Sequence, residues 1–345
     1  MLIDNIHSAL AAEVAKYDAN QVCVLLDDRL TFETDFPTLR LKANEDAKNL
    51  DSIGQIWDFL FDHAITRRGV LVCIGGGVLT DLGGFAASTY KRGIDTIHIP
   101  TTLLAMIDAS SGGKTGINYH GLKNSIGTFA PPVATLICPS WLRTLPPQQL
   151  LSGFGEMLKT GLVEPSEFSY QDSDKLWDQL LQYDLDTMPI DSLAPLIAQC
   201  VSVKKHFVEA DPREEGLRKA LNFGHTFGHA LEAISMKHSD ISQQMPHGYA
   251  VVYGMIAELY LSVSKLGCPK EPLQQLTQLM LHYYGKPQCK CSDLEQLVAL
   301  MQQDKKNEHC AEINCTLLQS VGSPVINQVI TPQEATEAWE YLFSL

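Results

Sequence analysis

No two of the nine cysteines in this 345-residue chain are spaced as CxxC, and basic residues are in the minority. No apolar run approaches the roughly 20 residues that span a bilayer. Each absence removes a class of function. The CxC at Cys289 and Cys291 lacks a matching second pair, so a structural zinc cluster is not expected, and reduced thiols in a cytoplasmic protein are the simpler reading. With 26 Lys and Arg against 40 Asp and Glu, the net charge is −14, which argues against a nucleic-acid partner. A small anion stays open as a ligand, because a few cations gathered in one pocket suffice to hold it. Met1-Leu2-Ile3-Asp4 runs straight into mixed sequence with no secretory pattern, and no membrane partner is expected. Repeats and low-complexity tracts are missing too.

What is present is a sequence able to build a large core: 45% of residues are hydrophobic and only 19% charged. Val22–Leu26, Leu39–Lys42, Val70–Ile74, Thr96–Pro100 and Ala134–Cys138 read as strands. Helical periodicity over Asp51–Arg67 and Asp81–Tyr90 alternates with them, which predicts a mostly parallel sheet covered by helices. After Leu145-Pro146-Pro147 the character changes. Gln148–Leu162, Ser192–Glu209, Phe223–Ser235, Gly248–Leu266 and Glu271–Tyr284 read as helices. Capping boxes at Ser292 with Glu295 and at Thr331 with Glu334 open two more, and only Ile313–Leu318 and Val325–Ile330 look extended. A boundary near residue 147 follows.

Gly75-Gly76-Gly77 directly follows a strand and precedes a helix expected to begin near Thr80-Asp81. Glycines there let backbone N–H groups approach a diphosphate at a helix N-terminus, although a tight turn would use the same residues. The spacing is not GxGxxG. Pro100-Thr101-Thr102 ends the next strand with hydroxyls suited to phosphate or ribose. Gly112-Gly113-Lys114-Thr115 resembles the end of a P-loop, but the first glycine of GxxxxGK[ST] would fall on Asp108, which disfavours a Walker ATPase. Lys114 and Lys123 put cations beside glycine-rich loops, where an anion could be held.

In the helical half, Glu156 and Lys159 are i and i+3, His225 and His229 are i and i+4, and His247 follows Pro246 at an expected helix start. One carboxylate and two imidazoles with an open position make a common catalytic zinc arrangement. The HxxxH is not that of a zinc protease, whose base would stand where this chain has Thr226. Lys204, Glu214, Arg218 and Asn222 lie between these elements, and the helix of His225 is expected to continue the line of Arg218 and Asn222.

These residues, with GGGVLTDLGGFAASTYKRG (75–93), IPTTLLAMIDASSGGKTGIN (99–118), LKNSIG (122–127), GFGEMLKTGL (153–162), GLRKALNFGHTFGHALE (216–232), HGYAV (247–251) and DKK (304–306), resemble the 3-dehydroquinate synthase family. The resemblance covers about residues 40–308. It implies an α/β, Rossmann-like nucleotide-binding domain over 1–147 and a mostly α-helical metal- and substrate-binding domain over 148–345. The implied enzyme is an NAD- and zinc-dependent carbon–oxygen lyase of the shikimate pathway, with cobalt an alternative ion. Its small phosphorylated substrate is 3-deoxy-D-arabino-heptulosonate 7-phosphate. Oxidation of the C5 hydroxyl, phosphate elimination, re-reduction, ring opening and aldol closure give 3-dehydroquinate.

By the same resemblance, Glu156, His225 and His247 hold the metal, His229 acts as base and Glu214 as a second proton acceptor, with Lys159 and Lys204 in the catalytic set. Substrate contacts fall to Asp108, Lys114, Lys159, Lys204, Arg218, Asn222, His229 and one or both of Lys305 and Lys306, with Arg92 reaching in from the neighbouring subunit of a homodimer. The NAD contacts are Asp27, Glu45, Lys48, Gly76, Gly77, Val78, Asp81, Thr101, Thr102, Asp108, Lys114, Lys123, Trp141, Leu142, Arg143 and Thr144. Tyr249, where many members carry Glu, Asp211-Pro212 in place of a frequent Asp-Glu, and a long step from His225 to His247 depart from the pattern. The rival readings are a sister sugar-phosphate cyclase (2-deoxy-scyllo-inosose or 2-epi-5-epi-valiolone synthase type), a metal-dependent alcohol dehydrogenase, and a non-enzymatic descendant, which should have lost a ligand or base.

Overall fold

Val22-Cys23-Val24-Leu25-Leu26 and Val70-Leu71-Val72-Cys73-Ile74 are apolar at every position, so as strands they must be covered on both faces. A computed structural model describes residues 1–120, 122–166, 168, 175–236, 244–288, 293–302 and 312–345. The chain forms two units, one of Met1–Pro146 with Pro189–Val201, the other of Pro147–Met188 with Ser202–Leu345.

The first unit runs α1 (Ile6–Val14), β1 (Val22–Asp27), β2 (Thr38–Leu41), α2 (Leu50–Asp62), β3 (Val70–Gly75), α3 (Gly77–Thr89), β4 (Asp95–Pro100), α4 (Leu103–Ile107), β5 (Lys114–Tyr119), β6 (Leu122–Phe129) and β7 (Ala134–Thr135). Five of these strands form a parallel sheet in the order β2-β1-β3-β4-β7. Alternation sorts its side chains. Cys23, Leu25, Leu71 and Cys73 pack with Ile53, Ile56 and Leu60 of α2 and Leu79 and Leu82 of α3. Val22, Val24, Leu26, Val70, Val72 and Ile74 meet Leu10 and Val14 of α1 on the opposite face. From β1 the chain steps to one side for β2 and to the other for β3. The carboxyl ends of β1 and β3 therefore flank a topological switch point, where open α/β sheets bind ligands.

Three local expectations need correction. The helix after the glycine triplet begins at Gly77, not near Thr80, because Gly76 itself serves as its extended N-cap (φ −75°, ψ −175°). The strand expected over 134–138 pairs with β4 only at Ala134 and Thr135, and Ile137 instead makes an isolated bridge to Leu2. The supposed glycine-rich loops after Gly113 are the antiparallel hairpin β5–β6, with Gly116 directly opposite Gly127.

The second unit contains α5 (Pro147–Val163), α6 (Leu176–Gln182), the end of α7 (Ala194–Ala210), α8 (His225–Ser235), α9 (His247–Leu266), α10 (Glu271–Leu279), α11 (Leu294–Gln302), the hairpin β8 (Ile313–Ser320) and β9 (Ser323–Ile330), and α12 (Pro332–Ser344). The capping box at Thr331 and Glu334 forms as expected. Ser292, Cys289 and Cys291 lie outside the described residues. Packing here depends on close backbone approach. A Cβ on Gly248 of α9 would sit 1.8 Å from the Ser152 carbonyl oxygen of α5, and one on Gly254 would sit 1.9 Å from that of Gly224. α5, α8 and α9 are thereby drawn together where their functional side chains lie.

Candidate metal centre and nucleotide end

Glu156 sits in the middle of α5, while His225 and His247 are the first residues of α8 and α9. Glycine contacts next to the ligands bring them together: a Cβ on Gly155, the neighbour of Glu156, would meet the carbonyl of Gly248, the neighbour of His247, at 2.6 Å. Gly224, just before His225, adopts φ +80°, a left-handed conformation natural for glycine, and this turns the chain into α8. The expected continuous line from Arg218 through Asn222 into that helix does not form. Leu217–Asn222 is a 3₁₀ turn, and Phe223 (ψ 129°) and Gly224 interrupt it before α8 starts.

Both imidazoles aim Nε2 at one oxygen. Glu156 Oε1 lies 3.4 Å from His225 Nε2 and 3.1 Å from His247 Nε2. The other carboxylate oxygen, Oε2, is 2.6 Å from Lys159 Nζ. Each Nδ1 has its own partner: the Phe223 carbonyl at 3.1 Å for His225, and Glu232 Oε2 at 3.1 Å for His247. One ligand atom from each of Glu156, His225 and His247 lies within 4.8 Å of the others. Two imidazoles held at Nδ1 and one carboxylate, converging in this way, fit a divalent cation.

The charges within the trio are set unevenly. Burial opposes ionisation of Glu156, but Lys159 and His225, helped by the His247 hydrogen bond, outweigh it and hold the carboxyl well below the usual range. Burial drives His225 down to about 3 against the pull of Glu156. For His247 burial also lowers, yet Glu232 and Glu156 together lift it to about 10. The trio thus holds an ionised carboxylate and one neutral imidazole, while His247 carries a proton that a bound cation would displace.

Around it, His229 stands one turn along α8, with its ring centroid 5.4 Å from that of His225 and 6.3 Å from that of His247. Lys159, Lys204 and Arg218 are buried cations. Glu214, half-buried with φ +62°, accepts a 2.6 Å hydrogen bond from Asn222 Nδ2 and lies 4.0 Å from Arg218 Nε. The Arg218 guanidinium also donates to the Pro212 carbonyl at 2.9 Å. Lys305 and Lys306 fall outside the described residues, as does 237–243 of the expected loop before His247.

In the first unit, Asp27 ends β1 and Gly75 ends β3, at the two sides of the switch point. Asp27 is buried and held by Arg29 through two hydrogen bonds of 2.9 and 2.6 Å. Gly76 and Gly77 open α3 with no side-chain cap, and Val78 and Asp81 follow in its first turns. Thr101 N donates to the Gly75 carbonyl at 3.0 Å, and Thr102 caps α4. Lys48 Nζ donates to Asp81 Oδ2 at 2.6 Å and to Asn124 Oδ1 at 2.5 Å. Asn118 donates to Glu45 Oε1 at 2.8 Å and accepts from Asn124 N at 2.9 Å. Glu45 is therefore tied through the hairpin asparagines to Lys48, which pairs directly with Asp81. Asp108 follows α4, Lys114 opens β5 on the surface, and Lys123 lies on β6. Trp141, Leu142, Arg143 and Thr144 share a 3₁₀ turn in which Arg143 pairs with Asp191 on the surface. Arg92 is exposed in a turn with positive φ at Lys91, Arg92 and Gly93.

Sequence reasoning gave no part to Glu232, Asn118 or Asn124. Glu232 carried one readable signal, its place seven residues after His225 on a helix.

Comparison with known proteins bears directly on this geometry. Residues 38–152 match the model for the 3-dehydroquinate synthase N-terminal region and residues 153–307 the model for its C-terminal region. The 3-dehydroquinate synthase of Parabacteroides distasonis is 44% identical over 305 residues, 88% of this chain and 83% of its own. Among solved structures, 2-epi-5-epi-valiolone synthase from Streptomyces hygroscopicus subsp. jinggangensis 5008, with NAD+ and Zn2+ bound, is 25% identical with a TM-score of 0.81, covering 100% of this chain and 96% of that one. A 2-deoxy-scyllo-inosose synthase complexed with carbaglucose-6-phosphate, NAD+ and Co2+ shares the fold at a TM-score of 0.80 and 22% identity, over 97% of this chain and 94% of that one.

Proposed function

The chain belongs to the 3-dehydroquinate synthase family, and from that premise we propose that it converts 3-deoxy-D-arabino-heptulosonate 7-phosphate to 3-dehydroquinate and phosphate. The observation that carries the reading is the convergence of Glu156, His225 and His247 on one point. We assign a divalent cation, zinc or cobalt, to that trio. NAD is assigned to the first unit, at the carboxyl ends of β1, β3 and β4. When bound, NAD supplies a hydride acceptor and the cation a Lewis acid for neighbouring alcohol oxygens.

The chain's own residues supply the rest. His229 is assigned the proton of the hydroxyl being oxidised, because it is the imidazole of the cluster that the metal trio leaves over. Glu214, hydrogen-bonded to Asn222, is the second proton acceptor. Lys159 holds Glu156 ionised. Lys204, Arg218 and Asn222 are assigned to the anionic and hydroxyl groups of the substrate, since buried cations keep most of their field where water is excluded. Glu45, Lys48, Asp81, Lys123 and the glycine turn are assigned to NAD.

A homodimer is part of this proposal. Tyr119, Leu122, Phe129 and Val133 place large apolar side chains on the surface at or beside the β5–β6 hairpin, and the unusual backbone at Arg92 fixes an exposed cation. None of the six described cysteines is in a disulfide, which suits a reducing cytoplasm. No helix among the described residues is long and apolar enough to cross a membrane.

The sister cyclases share the fold, so the substrate has to decide between them. Purified protein is expected to release inorganic phosphate from the heptulosonate phosphate with NAD in catalytic amount. Release from a heptulose or glucose phosphate instead would move the chain to a sister activity, and stoichiometric accumulation of NADH would point to an alcohol dehydrogenase.

A further inference from the structure

We infer that Glu232 is the positioning residue for the metal ligand His247, fixing which ring nitrogen faces the cation; this rests on the reading of Glu156, His225 and His247 as a metal site. On α8, His225, His229 and Glu232 stand at i, i+4 and i+7. At 3.6 residues per turn these positions fall within roughly 60° of one another, so one helix face carries a ligand, the base and a carboxylate. Glu232 is buried, a costly place for a carboxylate unless something on the protein needs its charge. Its Oε2 lies 3.1 Å from His247 Nδ1, while Nε2 of the same ring lies 3.1 Å from Glu156 Oε1.

The ring is therefore clamped between two carboxylates, one on the metal side and one behind. With Glu232 accepting the Nδ1 proton, the Nε2 lone pair is directed toward the cation. A second link fixes the distance. Ser235 Oγ donates to the Glu232 carbonyl at 2.8 Å and accepts from Met245 N at 3.1 Å, tying the segment that enters α9 to the same turn of α8. His225 differs in having a neutral backbone carbonyl behind its Nδ1. The two imidazoles are thus backed by different acceptors, a carboxylate for His247 and a backbone carbonyl for His225.

The test is metal affinity, read by competition between zinc and a chromogenic chelator, with the visible spectrum of the cobalt-loaded protein as a second readout. Glu232→Ala should bind zinc about 10- to 100-fold more weakly, and Glu232→Gln, which keeps an acceptor but not the charge, should fall in between. Both should shift the cobalt spectrum. Gln is isosteric, so it carries the test if the Ala variant is insoluble. Affinity and spectrum equal to wild type in Glu232→Gln, whether or not the metal-free protein melts earlier, would overturn the inference and leave Glu232 a structural residue. His225→Ala separates the two layers. It should retain no zinc with the fold largely kept; a full equivalent retained there would sink the metal site itself, whatever Glu232 does.

Discussion

The two units of this protein hold charge by opposite means. In the first, the buried Asp, Glu, Lys, Arg and His side chains among the described residues are Asp27, Lys48 and His98, and the proposed nucleotide end draws much on backbone: a helix start at Gly76 with no side-chain cap and strand ends at Gly75 and Pro100. In the second, Glu156, Lys159, Lys204, Arg218, His225, Glu232 and Glu258 are all buried around or near one cluster. Backbone dipoles cost little to place, because secondary structure already orients them. Buried charges lose hydration and persist only inside networks that satisfy them. The first unit should therefore tolerate side-chain changes near its site that the second will not.

The largest expected effect lies in the second unit. His229→Ala should retain its metal and lose rate by roughly 10²–10⁴-fold, the range for a positioned general base. Zinc content and kcat measured on one preparation decide it. Loss of both together would mean that His229 belongs to the metal set.

Next comes packing, where the same type of substitution should part the two units. Gly248→Ala puts a Cβ 1.8 Å from the rigid Ser152 carbonyl and should cost on the order of 3 kcal/mol, with loss of metal as α5 and α9 separate. Gly76→Ala meets only the Thr102 methyl at 3.1 Å, at a φ any residue adopts, and should cost less than about 1 kcal/mol while weakening NAD binding. Equal destabilisation of the two variants in urea would erase the contrast.

Legibility from sequence followed the same division. The parallel sheet was readable because strands covered on both faces leave unbroken apolar runs at 22–26 and 70–74. The convergence of Glu156, His225 and His247 was readable because glycines and paired histidines stand beside them in GE, HTFGH and PHG. The β5–β6 hairpin was not, since its pairing sets glycine against glycine and leaves polar residues along an exposed face, a pattern that single-strand reasoning assigns to loops. The break at Phe223-Gly224 was missed because 3₁₀ and α periodicities differ little over six residues. Glu232 was missed because a glutamate on a helix reads as a solvated charge until its partner is known.

A smaller effect than the Gly248 one tests the first unit's one buried histidine. His98 lies on the interior strand β4, opposite Cys73 in the register with β3, and a Cβ on Gly84 of α3 would come within 3.7 Å of its Nε2. Burial lowers it to about 4, with only the Ser110 backbone offering slight compensation. Unlike His247, it has no carboxylate to hold a proton for, so it stays neutral when folded. In the unfolded chain its value returns to the ordinary 6.5, and between about 4 and 6.5 the unfolded state binds the extra proton. Stability must then rise with pH across that window and fall on acidification, on the order of 2 kcal/mol between pH 7 and pH 5. His98→Gln, neutral throughout, should flatten that part of the acid limb while leaving metal content unchanged. Superimposable urea midpoints against pH for variant and wild type would show that the buried imidazole is protonated in the native state. Burial alone would then not suffice to keep a side chain of the first unit neutral.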